Sequence, residues 1–376
     1  MTAVREAKAS APDPTPRKGP GGATAPDLPR VITGRVVRTR SGSISLRVQG
    51  RTVAATAALL VALLVVAGIT LTTGDFELSV GEAFQALTGD GTMIADFVVN
   101  TLRMPRLVTA LCVGAALAVS GAILQSITGN PLGSPDIIGF TNGSAVGALV
   151  VIVMLHGSMT EIAIGALVGG LATALAVHLL MIGRGIQGFR LVVVGIGVSA
   201  LLLAVNSYLI TRATFQEALE AQSWLIGSLG NRLWIHAQAI GIAVAVLLPL
   251  AFFLSRRLSM VEMGDTTAMA LGVDVTRTRT VLLVISVALA AFATAVTGPI
   301  WFVALAAPQV ARKITGSSGP ALLPSALMGA VMLALSDLAV QRVFAPALLP
   351  VGTATGCVGG LYLIWLLVTE SRKSRA

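Results

Sequence analysis

Apolar runs of about 20 residues recur along the chain from residue 53 onward, and no other feature constrains its fold as strongly. A helix needs roughly 20 residues to cross the hydrocarbon core of a bilayer. Of the 376 residues, 55% are hydrophobic and 11% are charged, whereas soluble domains carry about 25% charged residues. The sequence therefore predicts an all-α polytopic membrane protein with about ten transmembrane helices, near residues 53–73, 106–126, 137–155, 161–181, 191–211, 236–254, 279–298, 301–313, 322–341 and 350–369.

The segment before the first apolar run, residues 1–51, is rich in Arg, Pro, Gly and Ala, and it predicts a disordered basic cytoplasmic tail. A net charge of +9 would suggest nucleic acid as the partner of a soluble protein, but its concentration in this tail argues against that. The first apolar run begins too far in, and is too long, for a secretory signal, so we expect a retained span. We expect a transmembrane domain over 52–370 and a second cytoplasmic tail over 371–376.

Basic residues in the short loops favour the cytoplasm. Counting spans from an inside N-terminus places most loop arginines inside, so we expect a multi-pass protein of the inner (plasma) membrane with both termini cytoplasmic. Three arginines break the rule, because Arg103, Arg106 and Arg342 fall at outer ends of the second and ninth spans. They fit either snorkelling anchors in contact with membrane lipid or a docking surface for an acidic partner outside.

The chain shows little chemistry of its own. Cys112 and Cys357 lie in apolar stretches, and His156, His178 and His236 are isolated from them and from one another, so no metal site or disulfide framework is predicted. The sequence contains no Gly-x-x-x-x-Gly-Lys-Ser/Thr loop. We therefore expect no enzyme activity and no cofactor bound by this chain, and any ATPase must be a partner.

Few ionisable residues lie within the predicted spans, although ion-coupled transporters need them there. Asp337 lies in the ninth span, toward its outer end, while Glu161 and His178 lie near the ends of the fourth. This distribution argues against a secondary transporter coupled to protons or sodium through carboxylates. A membrane protein of this composition could also be a scaffold that transports nothing.

The longest internal cytoplasmic segment, about 255–279, contains a predicted short helix from Thr266 to Leu271. We expect Asp265 to cap its start and Gly272 to end it in a left-handed conformation. With Gly264 before it, this segment, about 262–274, would offer side chains to fill a groove on a partner, namely Ala268, Met269 and Leu271. The alternative is an ordinary capped loop helix.

Two prolines, each preceded by a polar residue, interrupt the helix between the second and third spans, at Asn130-Pro131 and Ser134-Pro135. Irregular backbone at membrane depth is tolerated where it lines a cavity, so these four residues are candidates for an inner gate. A tight turn is the alternative. Pairs of glycines four residues apart predict close helix packing, at Gly143-x-x-x-Gly147, Gly165-x-x-x-Gly169 and Gly352-x-x-x-Gly356.

Seven sequence motifs follow one another along the chain: Arg103-Met-Pro-Arg106, Gly114-Ala-Ala-Leu-Ala-Val-Ser-Gly-Ala-Ile-Leu-Gln125, Asn130-Pro-Leu-Gly-Ser-Pro-Asp-Ile-Ile-Gly139, Trp224-Leu-Ile-Gly-Ser228, Gly264-Asp-Thr-Thr-Ala-Met-Ala-Leu-Gly272, Phe302-Val-Ala-Leu-Ala-Ala-Pro-Gln-Val-Ala-Arg312 and Leu349-Pro-Val-Gly-Thr-Ala354. In this order they resemble the iron-siderophore and cobalamin permease family of ABC importers (FecCD/BtuC-like), and their sequences are most similar to its ferric-enterobactin-type branch. The resemblance covers most of the chain from about residue 75 to 369.

The resemblance implies a permease subunit that imports iron-siderophore complexes, with haem or cobalamin as alternative cargoes. Its implied partners are a second, paralogous permease, two cytoplasmic ATPases that use ATP and Mg, and an extracytoplasmic binding protein. Gly264–Gly272 would insert into the ATPase, and Arg103 and Arg106 would pair with glutamates of the binding protein. Two positions depart from the family: Gln341, next to Arg342, replaces a third arginine, and Gln309 replaces a frequent histidine.

Overall fold

The computed structural model describes residues 35–38, 45–74, 76–181, 188–343 and 349–373. They belong to two units, residues 1–49 and 50–376. In the first, strands β1 (Arg35–Arg38) and β2 (Ser45–Val48) pair antiparallel, with Arg35 opposite Val48. The expectation of disorder was wrong for these two strands, whose β-branched valines favour extended backbone. Residues 1–34 and 39–44 of the predicted tail lie outside the described residues.

The second unit is helical throughout its regular structure. Its helices, in chain order, are α1 (Gly50–Thr72), α2 (Val80–Thr88), α3 (Met93–Asp96), α4 (Met104–Thr128), α5 (Pro135–Ile138), α6 (Phe140–Val150), α7 (Met159–Met181), α8 (Gly188–Arg212), α9 (Phe215–Ile226), α10 (Trp234–Glu262), α11 (Asp265–Ala270), α12 (Val275–Thr297), α13 (Val303–Thr315), α14 (Leu322–Val343) and α15 (Val351–Lys373). Two π-helical turns, Phe97–Arg103 and Val151–Leu155, join α3 to α4 and extend α6.

The predicted all-α membrane fold is confirmed, and each of the ten predicted spans coincides with a helix. Within the described ranges, seven helices are long and apolar enough to cross a membrane. The other three predicted spans are shorter there: Phe140–Leu155 begins only after the left-handed Gly139, α13 has 13 residues, and the apolar part of α15 covers Val351–Ile364. Helix α15 also continues past residue 370, where the sequence predicts a tail.

Helix α4 is the centre of the bundle, packed against α10, α12, α13 and α14. In the most apolar 18-residue stretch of the span Met93–Thr128, which contains α4, 83% of the residues are buried inside the protein. The corresponding share is 11% for α8 and 17% for α1. Small residues allow this: a Cβ on Gly114 would overlap the carbonyl oxygen of Gly329 in α14, and one on Gly121 would overlap that of Ala304 in α13. Helices without a hydrophobic driving force between them associate through such backbone approach.

The predicted glycine contacts hold for α6 and α7. A Cβ on Gly147 would overlap the Gly165 carbonyl oxygen, and one on Gly169 would overlap that of Gly143, so the two motifs pack against each other. The packing prediction for the third motif was wrong for Gly356, because no atom of the described residues lies within 4 Å of a Cβ added there.

Candidate functional sites at the two ends of the bundle

Two cavities lie at opposite ends of α4. The first, of about 550 Å³, is lined by the last turn of α4 from Gln125 to Thr128 and by Gly264 and Asp265; we call this the coupling end. The second, of about 500 Å³, is lined by Arg106 in the first turn of α4; we call this the Arg106 end. The predicted site residues are described below end by end.

At the coupling end, α11 begins one residue earlier than predicted, after Gly264 in an extended left-handed conformation (φ 100°) that an L side chain rarely adopts. Among the described residues Asp265 makes no capping hydrogen bond, so that expectation was wrong. Its carboxylate instead accepts from both terminal amino groups of Arg279 in α12, at 2.9 and 2.8 Å. The predicted left-handed end is confirmed at Gly272 (φ 81°).

The exposed face of α11 is narrower than expected. Met269 and Leu271 are each 57% exposed, whereas Ala268 is fully buried. The expectation that Ala268 faces a partner was therefore wrong. Its side chain is buried within its own chain, where α11 packs against α10 and α12. A short apolar knob of Met269 and Leu271 remains at this surface.

A polar network connects the last turn of α10 with α4 and α13 across the coupling-end cavity. Glu262, the last residue of α10, accepts a hydrogen bond from Ser126 and lies 4.0 Å from the Arg312 guanidinium. Arg312 also donates to the side-chain oxygen of Gln125, whose amide donates to the Leu305 carbonyl at 3.0 Å. Charged hydrogen bonds of this kind fix the relative positions of three helices around the cavity that Gly264 and Asp265 also line.

The predicted inner-gate residues form a capped, irregular connection between α4 and α6. Asn130 Oδ1 accepts from the Leu132 amide at 2.9 Å, and the Ser134 hydroxyl accepts from the Ile137 amide at 3.4 Å. Pro135 occupies the first position of α5, where the missing amide hydrogen costs nothing. Gln309 of α13 donates to the Pro131 carbonyl and accepts from the Tyr362 hydroxyl at 3.3 Å, so the residue that departs from the family ties α13 and α15 to this connection.

Asp136 lies in the same connection. Its side chain keeps part of its surface exposed, while burial raises the pKa of its carboxyl to about 6 against the lowering effect of a 2.7 Å hydrogen bond from Thr141. Desolvation disfavours the charged form of a carboxylate. The connection therefore contains a carboxyl that titrates close to neutral pH.

At the Arg106 end, Arg106 forms a two-pronged ion pair with Asp337 of α14. Its Nε and Nη2 donate to the two carboxylate oxygens at 2.9 and 2.7 Å. Gln341 donates to the same carboxylate at 2.8 Å. The Asp337 side chain is 3% exposed and that of Arg106 25%. The carboxylate noted in the ninth span is thus neutralised by an arginine 231 positions away.

The other two predicted docking arginines differ from each other. Arg103 donates to the carbonyl of Leu71, at 2.6 Å, and to that of Phe76, so it satisfies the end of α1. Arg342 is exposed, and no hydrogen bond or ion pair of its side chain is found within the described ranges. Of the three arginines, it is the one whose charge is open to solvent.

One element at this end was not predicted. The amphipathic helix α9 carries a capping box in which Thr214 accepts from the Glu217 amide while the Glu217 carboxylate accepts from the Thr214 amide at 2.8 Å. That hydrogen bond lowers the pKa of Glu217, which also pairs with His156 at 3.0 Å. The Thr-x-x-Glu pattern at 214–217 is the sequence signal for this helix.

Comparison with known proteins agrees with this architecture. The chain is 46% identical over 319 residues to the ferric enterobactin transport system permease protein FepG of Escherichia coli, covering 85% of this chain and 97% of that protein. It is 37% identical over 276 residues to the Fe(3+) dicitrate transport system permease protein FecD of the same organism, covering 72% and 85%. A solved metal-chelate type ABC transporter in an inward-facing conformation is similar in structure, with a TM-score of 0.75 and 29% identity, covering 84% of this chain and 98% of that one. Because the model of the FecCD transport family matches residues 59–369, the chain belongs to that family of membrane permeases.

Proposed function

We propose that this chain is the membrane-spanning permease subunit of an ATP-binding-cassette importer for iron-siderophore complexes. The observation that carries the proposal is the 46% identity to FepG along 97% of that protein. The hemin permease HmuU of Yersinia pestis is 34% identical over 278 residues, covering 72% of this chain and 82% of that protein. The higher identity to the enterobactin permease favours a siderophore over haem as cargo.

In this proposal the coupling end faces the cytoplasm, both termini are cytoplasmic, and the Arg106 end faces outward. Two ATPases use ATP and Mg there and receive the apolar knob of Met269 and Leu271, each 57% exposed. A second, paralogous permease completes the membrane part. The chain itself does no covalent chemistry and holds no nucleotide.

Movement would travel from α11 through residues that touch it. The Asp265–Arg279 pair joins α11 to α12, and Glu262 joins the end of α10 to Ser126 and Arg312. Gln309 then connects α13 to Pro131. A shift of α11 would therefore reach the Asn130–Pro135 connection, the proposed inner gate, through rigid helices and short polar contacts.

The arginines of the Arg106 end would meet a binding protein in different ways. Arg342 is exposed and offers its charge directly. Arg106 keeps a quarter of its side chain exposed while Asp337 holds its orientation. Arg103 caps α1 through Leu71, so its contribution would be to shape the surface as well as to charge it.

Reconstituted vesicles test the importer proposal. The four-component complex should take up ferric enterobactin from the side of the binding protein only when ATP is supplied, and a partner ATPase that binds but cannot hydrolyse ATP is the control. Uptake that follows a proton or sodium gradient and ignores ATP would identify a secondary transporter instead. Vesicles with no uptake of any iron chelate would favour a scaffold.

The knob has its own test. Leu271→Glu should abolish co-purification of the ATPase, because a carboxylate cannot enter an apolar groove without losing its water. Leu219→Glu is the matched control, since Leu219 is 56% exposed but lies on α9 at the opposite end. Equal ATPase recovery with the two variants would remove α11 from the proposed contact.

A further inference from the structure

The cavity at the Arg106 end has a wall built from several separate segments. Trp224 closes the last turn of α9, Thr297 ends α12, and Leu349 and Pro350 precede α15. The loop between α9 and α10 adds Ser228, Gly230, Asn231 and Arg232 to the lining. A concave site of about 500 Å³ falls within the range of small-molecule pockets, about 300–1,000 Å³.

Arg232 is the unusual residue of this wall. It is 8% exposed, yet its only hydrogen bond within the described ranges runs from Nε to the Ser228 carbonyl at 3.2 Å. No carboxylate of those residues lies within 4.0 Å of its guanidinium, and residues 344–348, which precede Leu349, include no acidic residue. Burial lowers the pKa of Arg232. A buried charge without a paired anion is costly, so such residues point to function.

The other charges of the wall do not compensate it. Arg106 is neutralised by Asp337 through the two-pronged pair. Glu220 also lines the cavity, but it is exposed on α9, where water solvates its carboxylate. The two terminal amino groups of Arg232 are therefore charged donors in this cavity that no carboxylate of the described residues occupies.

We propose that Arg232 binds an anionic oxygen group of the transported iron chelate as the chelate passes through this cavity. This inference rests on the proposed import function and specifies the chemistry of its cargo: a complex whose iron is held by deprotonated oxygens and which carries net negative charge. The Ser228 contact orients the guanidinium and leaves the fork of terminal amino groups for two oxygens of the ligand. Arg342, exposed at the helix end, suits a protein partner, whereas a charge recessed in a concave wall suits a small one.

The test uses the full importer in vesicles with ferric enterobactin, an anionic tris-catecholate, as probe. Arg232→Gln should lower ATP-driven uptake at subsaturating chelate about tenfold, the effect of losing a charged hydrogen bond, and leave basal ATP hydrolysis and binding-protein affinity unchanged. Arg232→Lys should lower uptake severalfold, because an ammonium lacks the planar fork that lets one guanidinium hold Ser228 through Nε and two ligand oxygens through its terminal amino groups. Arg212→Gln is the matched control: this arginine is exposed at the end of α8 and contacts Tyr208.

The outcomes separate the possibilities. Wild-type uptake by an assembled Arg232→Gln complex would overturn the inference, and so would a loss of binding-protein affinity as large as the loss of uptake, since the ligand would then be a protein carboxylate. If Arg232→Gln fails to assemble, the lysine variant decides, and unchanged uptake overturns the inference. Failure of the import proposal looks different, because wild-type vesicles would then show no ATP-driven uptake at all.

Discussion

The Arg106–Asp337 pair gives the sharpest prediction for stability. Asp337→Asn keeps the shape of the side chain but removes the charge that faces two guanidinium nitrogens at 2.9 and 2.7 Å. Breaking a fully buried pair costs about 3–5 kcal/mol. Because a quarter of the Arg106 side chain is exposed and water reaches it, we expect a smaller loss of about 2–3 kcal/mol, or several degrees in Tm.

A double-mutant cycle in detergent measures the pair itself. The single variants Asp337→Leu and Arg106→Leu should each be less stable than the wild type, whereas the double variant should regain most of the loss, because replacing both charges by apolar side chains is often neutral. Thermal unfolding followed by thiol-reactive dye or light scattering gives Tm for each. Asp90→Asn is the control, since Asp90 is exposed at the end of α2.

Strictly additive losses would refute the reasoning, because they would mean that the two side chains are not coupled in the folded protein. A Tm for Asp337→Asn equal to that of the Asp90 control would refute it as well. The double variant also separates two roles of Arg106. If it regains stability but binds the binding protein less tightly at low salt, Arg106 contributes to docking in addition to packing.

Three further predictions concern packing, protonation and coupling. Gly121→Ala should cost about 1–3 kcal/mol in thermal unfolding, because its Cβ would overlap the Ala304 carbonyl oxygen; a Tm equal to the wild type would contradict it. Burial raises the pKa of Asp136 from 3.8 to about 6, so the contribution of this group to stability should fall as pH rises from about 4 to 6, and Asp136→Asn, which can still accept from Thr141, should raise Tm relative to the wild type at pH 7.5 but not at pH 4.5. The full pKa shift corresponds to a stability difference of about 3 kcal/mol, which partial solvent exposure of Asp136 reduces to about 1–2 kcal/mol. A Tm difference between the wild type and Asp136→Asn that does not change with pH would contradict this prediction. Glu262→Gln should lower chelate uptake per ATP hydrolysed while the ATPase still binds, and an unchanged ratio would remove Glu262 from the coupling path.

The sequence predicts those parts of the candidate site that depend on residues close together in the chain. The left-handed end at Gly272, the interruption at Asn130–Pro135 and the glycine seams of α6 and α7 follow from residues close together in the chain. Each depends on backbone freedom or on the missing amide hydrogen of proline, which the residue type itself determines.

Contacts between distant residues could not be predicted in this way. A carboxylate such as Asp265 can cap its own helix or reach a neighbouring one, and only the packing of α11 beside α12 directs it to Arg279. The same holds for Ala268, whose small apolar side chain fits either a partner groove or its own bundle, and which the structure buries completely.

The sequence by itself determined the membrane class, the approximate positions of the ten apolar spans and the ordered family motifs, because hydrophobic length and charge are properties of contiguous residues. The tertiary structure decided what the charges do. It placed Asp337 against Arg106, gathered Glu262, Ser126 and Arg312 around the coupling-end cavity, and left Arg232 buried with no carboxylate of the described residues within 4.0 Å. Such pairings depend on which helix faces meet across hundreds of residues, and the free energy of a charge depends on its neighbours more than on its place in the chain.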